Sequence, residues 1–112
     1  MSLSPTQLTL RWLRERGDAC QVVERWNQWA KIRQDLFGFI DIVSLSDDGI
    51  VGIQATSGSN HSARRNKVLA SQEAKSWCRA GGKVLVMSWS KKKNRWVERV
   101  EDLTEELLNG VH

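Results

Sequence analysis

The sequence predicts an α/β fold, a mixed sheet with flanking helices, and three observations carry that reading. First, three runs are rich in β-branched and aromatic residues: Phe39–Leu45, Ile50–Thr56 and Lys83–Trp89. Second, Ser46-Asp47-Asp48-Gly49 is a turn signal that joins the first two runs as a hairpin. Third, a helical segment lies between the second and third runs. Strands joined through a helix pair in parallel, by a crossover that is right-handed as a rule. The order read from the chain is α-β-β-β-α-β-β-α, in one domain over residues 1–112.

Each element has a local reason. Ser4-Pro5-Thr6-Gln7 is a helix start: Ser4 caps, Pro5 suits the first helical position and Gln7 reaches back as a capping-box partner. Leu8, Trp12 and Leu13 form an apolar stripe and Gly17 is a stop, so a first helix spans about Pro5 to Arg16. Cys20–Trp26 is a short strand, and residues 27–36, which lack periodicity, read as a loop or irregular turn. After the hairpin, Ser57-Gly58-Ser59-Asn60 is a loop that caps a helix from Ser62 to Arg79, ending at Gly81-Gly82. Lys91-Lys92-Lys93-Asn94 turns the chain from the third run into a last strand, Arg95–Val100. A short helix beginning at Asp102 or Thr104 carries Leu103, Leu107 and Leu108.

Composition narrows the classes. The chain of 112 residues is long enough for one modest core. The net charge of +4 permits a nucleic-acid partner without requiring one. Cys20 and Cys78 are far apart and match no metal-ligand spacing, so they read as reduced, buried thiols. No apolar run approaches the ~18 residues of a membrane span, and no signal peptide is visible; a cytoplasmic protein is expected. Six Trp and no Tyr is an unusual balance, with core packing the commoner use of Trp.

One carboxylate, Asp41, stands in an otherwise apolar strand. A buried acid costs several kcal/mol unless it is paired or binds a cation. On the facing strand Gln54 and Thr56 share a face, roughly 6.6 Å apart, with Gly52 leaving space beside them. Asp41, the Gln54 amide oxygen and the Ala55 carbonyl make an oxygen-rich set of the kind Mg²⁺ prefers. A simpler reading stands beside each feature. Asp41 can be a structural acid, and Gln54 and Thr56 the solvent face of an edge strand. Glu24 beside Arg25 can be a surface ion pair, and Arg64-Arg65-x-Lys67 a solvated helix face. Lys91-Lys92-Lys93 can be a charged tip that discourages edge pairing. His61 reads as a lone, exposed loop histidine.

The motif Gly38-x-x-Asp41, the hairpin, Gln54-x-Thr56 and the basic helix after it resemble the PD-(D/E)xK nuclease superfamily, over about residues 5–100. Small Holliday-junction-resolvase-like and phage-type members come nearest. The resemblance implies a restriction-endonuclease-like domain, Mg²⁺ or Mn²⁺ as cofactor, DNA as partner and a homodimer. It maps the family's metal-binding Asp onto Asp41. Gln54 falls where the family has Glu and offers only a neutral oxygen; Thr56 falls where it has a water-orienting Lys. Glu24 is the candidate for an additional upstream acid, with Asp35 a second. Lys67 is the candidate substitute cation, ahead of Lys31 and Arg33. The metal set is then Asp41, Gln54, Ala55 and Glu24, with Lys67 catalytic, and Arg64, Arg65, Lys67, Lys91, Lys92 and Lys93 contact DNA phosphates.

Two functions follow from that resemblance. One is a metal-dependent endonuclease acting on DNA, branched DNA included. The other is a DNA-binding or assembly module that keeps the fold without hydrolysis. A third, blander class is a protein-interaction domain anchored by exposed Trp29, Trp89 or Trp96.

Overall fold

A computed structural model describes residues 3–109. The chain forms α1 (Pro5–Glu15), β1 (Ala19–Val22), β2 (Arg25–Asn27), β3 (Ile32–Gln34), β4 (Ile42–Ser46) and β5 (Gly49–Ser57). A 3-10 turn (Gly58–Asn60) then leads into α2 (His61–Leu69) and α3 (Gln72–Arg79). β6 (Lys83–Lys92), β7 (Arg95–Asp102) and α4 (Thr104–Asn109) complete it. Five strands make a mixed sheet in the order β1-β4-β5-β6-β7, and β2 and β3 make a separate ribbon. Among the described residues β5 and β6 run parallel, joined through α2 and α3, and the other neighbouring pairs in the sheet are antiparallel.

Helices cover both faces. On one side α1 lays Leu8 and Leu13 on Ile42, Val51, Ile53, Met87 and Trp89. Ser4 and Gln7 close the expected capping box at its start. On the other side α2, α3 and α4 bring Val68, Leu69, Ala74, Cys78 and Leu107 onto Phe39, Ile40, Val84 and Val86. Strand alternation sorts the residues between the two cores. Ile42 and Ile53 face α1, whereas Val43 and Gly52 face α3.

Four expectations need correction. Residues 27–36 are not irregular: they carry the tip and second strand of the β2–β3 hairpin, and Cys20–Trp26 is two strands broken at Val23-Glu24. The strand expected from Phe39 begins at Ile42, because Phe37 and Gly38 adopt left-handed backbone angles and Leu36 bridges Ile40 in a tight turn. The helix expected over 62–79 is two helices. The Ser71 hydroxyl accepts the Ala74 N–H and starts α3 afresh, a local bond that competes with continuing the helix. The kink lets both Val68 and Cys78 enter one core.

The thiols also differ from one another. Cys78 is buried and Cys20 half-buried, both free, and burial raises the Cys78 thiol pKa. Among the described residues no helix is long and apolar enough to cross a membrane.

One buried polar pair ties α1 to the sheet. The Trp89 indole N–H donates to Thr9 Oγ1 at 2.9 Å, and Thr9 is fully buried. Thr9→Val should lower stability by about 1–3 kcal/mol in urea unfolding, because it orphans a buried donor. Trp89→Phe in the Thr9→Val background should then show a smaller additional loss than in wild type, since the donor is already without its partner.

Candidate metal centre

Three strands end or begin at one place. β1 leads into Val23, whose N–H donates to the Asp41 carbonyl at 2.8 Å, and the Asp41 N–H donates to the Ile53 carbonyl at 2.9 Å. Asp41 therefore continues both ladders one residue before β4 and lies level with Gln54. Glu24 follows β1, and Asp35 follows β3 at the start of the tight turn. Carboxylate oxygens of Glu24, Asp35 and Asp41 all come within 4.8 Å of one another.

Asp41 is 5 % exposed and Gln54 2 %. The Gln54 carboxamide points into the cluster: Nε2 donates to Asp41 Oδ2 at 2.6 Å and reaches Asp35 Oδ2 at 3.5 Å. The Ala55 N–H donates to the same Asp41 oxygen at 2.9 Å. In a strand the N–H and C=O of one residue leave on the same side, so the Ala55 carbonyl is directed toward this end of β4. Gln54 Oε1 is buried without a hydrogen-bond partner. An orphaned buried oxygen carries a real cost, and a half-turn of the carboxamide would bring it to the carboxylates in place of Nε2. That exchange is unfavourable toward bare carboxylates and favourable toward a cation held among them.

The charge balance points the same way. Arg33 lies 3.5 Å from Glu24 and Lys67 4.0 Å from Asp35, but both cations are largely exposed. Among the described residues no cationic side chain pairs with Asp41 itself. Its carboxyl is raised from 3.8 to about 7, first by burial and next by the Asp35 carboxyl, against the lowering effect of the Ala55 N–H and the Gln54 amide. Three hard oxygen acids, one of them (Asp41) costly to ionise alone, and one neutral oxygen are a donor set suited to Mg²⁺ or Mn²⁺.

The structure thus brings Glu24, Asp35, Asp41, Gln54 and Lys67 together, and Asp35, only a second candidate in sequence, sits in the middle. Gln54 and Thr56 are buried on a central strand, so the edge-strand reading is wrong for both. Gly52 opens no space. A Cβ there would lie 2.8 Å from Ile40 Cδ1, because Ile40 and Trp77 already fill that position. Glu24 pairs with Arg33 rather than Arg25.

The basic candidates divide. Lys67 faces the cluster, and Arg64 is half-buried one turn earlier on α2. Arg65 is engaged elsewhere, with Nε donating to Glu101 at 2.7 Å and Nη2 to Glu106 at 2.9 Å. Lys91, Lys92 and Lys93 stand at the β6–β7 tip, where Lys93 and Asn94 take the paired left-handed angles of a two-residue hairpin turn. Lys92 is six residues past Val86, the parallel partner of Gln54, so it lies about 20 Å farther along the sheet.

His61 is not an exposed loop residue; it is 1 % exposed. Nδ1 lies 2.7 Å from Ser88 Oγ and Nε2 2.8 Å from Glu101 Oε1. Burial acts to raise the Glu101 pKa, but hydrogen bonds from Arg65 and His61 outweigh it and hold the carboxyl low. Ser88 is itself buried at 2 %, so this Ser–His–Glu line has no route to a substrate. It locks the start of α2 to β6 and β7, and Arg65 extends the lock to α4. No sequence signal marks it, since the partners are 27 and 40 residues apart.

Comparison with protein-family models, with curated proteins and with solved structures finds no match to this chain.

The folded protein holds the Asp41 proton over a pH range in which the unfolded chain has released it. Asp41 therefore makes the protein less stable as pH rises from 3.8 to about 7, and the loss is complete above that. With EDTA present, Asp41→Asn should be more stable than wild type at pH 8, by on the order of 1–4 kcal/mol, and should lose that advantage near pH 4. Urea unfolding at both pH values checks this, and an Asn that destabilises equally at each would contradict the buried-charge account.

Proposed function

We propose that this protein is a metal-dependent endonuclease with a restriction-endonuclease-like arrangement, hydrolysing phosphodiester bonds in DNA. The observation that supports this best is the convergence of Glu24, Asp35 and Asp41 around the Gln54 carboxamide with its unpartnered oxygen. Glu24, Asp35, Asp41 and Gln54 Oε1 would hold Mg²⁺ or Mn²⁺, and the Ala55 carbonyl is directed toward them. Such an ion supplies positive charge to the scissile phosphate and makes water a better nucleophile near neutral pH.

The chain's own groups do the rest. Asp41 gives up its proton on taking a cation, which ties activity to pH. Lys67 Nζ, 4.0 Å from Asp35 and half-exposed, can reach a phosphate oxygen or orient the attacking water, work Thr56 cannot do. Water adds to phosphorus and releases a proton to solvent as the bond to the leaving oxygen breaks, and the leaving oxygen takes up a proton from solvent. In this reading Arg64 and the Lys91–Lys93 tip would contact phosphates farther along the strand. Branched DNA as the target, and a two-fold dimer acting on it, belong to the resemblance to the resolvase-like members.

Wild type should nick supercoiled plasmid or cut four-way junctions with Mg²⁺ or Mn²⁺, and EDTA should stop it. Asp41→Ala should show no cleavage, and Lys67→Ala should lower the rate about 10²–10³-fold. A folded wild-type protein that binds junctions in a salt-dependent way but cuts nothing with either metal would instead be a recognition module.

A further inference from the structure

The β2–β3 ribbon is the least protected element of the fold. Its strands are three residues each, and a lone two-stranded ribbon is marginal in water. Yet it holds large aromatic groups in solvent: Trp29 is 89 % exposed and Trp26 57 %, with Phe37, at 57 %, just beyond β3. The tip is built to present Trp29. Asn27 Oδ1 accepts the N–H groups of Trp29 and Ala30 at 2.9 and 3.0 Å, and Asn27 Nδ2 donates to Gln34 across the ribbon at 3.2 Å. Lys31 closes the turn with a left-handed φ of 58°.

Beneath the ribbon runs a groove of about 580 Å³, lined by Val23, Trp26, Trp29, Asp35 and Phe37 among others. Arg25, Lys31 and Arg33 are exposed on the same ribbon. Asp35 belongs both to this groove and to the carboxylate cluster, so whatever lies in the groove reaches the cluster.

We propose that this ribbon is a stacking platform for unpaired bases, and that it makes single-stranded DNA the substrate of the neighbouring carboxylates; the second half rests on the nuclease reading above. Exposed indoles on a ribbon that also carries exposed Arg25 and Lys31 match a polyanion with exposed π-surfaces. A duplex hides its base faces in its own stack, so it offers Trp29 only a phosphate surface. Arg25, Asn27, Gln28 and Gln34 border the aromatic groups and offer hydrogen bonds and charge to phosphates and base edges; a protein partner, which would also use Trp and Arg, is an outcome of the test below. The ribbon also hangs from the cluster by both ends, Glu24 before β2 and Asp35 after β3. A cation that draws these two carboxylates together therefore fixes the platform relative to the site.

Fluorescence anisotropy in EDTA tests the platform without hydrolysis, using a labelled oligothymidylate and a labelled duplex of mixed sequence. Wild type should bind the single strand more tightly than the duplex. Trp29→Ala should weaken single-strand binding about 5- to 150-fold, equivalent to the 1–3 kcal/mol of one stacked base. The same variant should leave duplex binding and the urea midpoint unchanged, and Trp29→Phe should retain most of the affinity. No binding of the oligothymidylate by wild type, or equal binding by Trp29→Ala, overturns the proposal, and so does an equal loss for strand and duplex. Trp29-dependent binding without metal-dependent cleavage would keep the platform and remove the nuclease. Cleavage of the oligothymidylate with Mg²⁺ or Mn²⁺ that Asp41→Ala abolishes but Trp29→Ala leaves untouched would do the reverse.

Discussion

The structure at the working end of this protein depends on the two hydrogen bonds that reach one oxygen of Asp41. The Gln54 amide and the Ala55 N–H hold the carboxylate in place from the neighbouring strand, while its own backbone links β1 to β5. Removing charge from water is costly, and two polar donors do not restore what hydration supplied. The site therefore stores an electrostatic debt that neither surface cation, Arg33 nor Lys67, is placed to settle. The neutral Gln54 amide adds no further charge beside the three carboxyl groups of Glu24, Asp35 and Asp41.

The second buried polar assembly has the opposite character. His61, Ser88, Glu101, Arg65 and Glu106 satisfy one another almost completely. A saturated network of this kind specifies geometry and has no capacity left for a ligand. The two assemblies share one face of the sheet, and α2 spans them, with His61 at its start and Lys67 near its end. The rigid network fixes the helix, and the helix delivers Lys67 to the incomplete one.

How much of this is legible in the sequence follows from the range of the interactions. β4, β5 and β6 are visible because their residues are β-branched and lie in a buried sheet, where pattern and structure have the same cause. Asp41 is visible because a charge stands out against that pattern. β2 and β3 are invisible because Arg25–Asn27 and Ile32–Gln34 are largely exposed, so no periodic burial marks them. The break at Ser71 is hidden because serine is tolerated inside helices and only the tertiary fit of Val68 and Cys78 favours the cap. Glu24 and Asp35 are individually ordinary acids. Their convergence is a property of the turn at Phe37-Gly38, whose left-handed angles the sequence hints at only through the glycine.

The ribbon between Glu24 and Asp35 leaves and rejoins the sheet at the same point and donates no hydrogen bond to the main ladder. It is thus topologically an appendage, closed at its base by Glu24 and Asp35 of the carboxylate cluster. Lengthening it, shortening it or exchanging its tip would disturb neither core, since β1 and β4 stay registered through Val23 and Asp41 regardless of what lies between. The sheet can therefore stay fixed while this segment varies in length and tip, so the exposed aromatic surface and the carboxylate cluster can be altered independently by mutation.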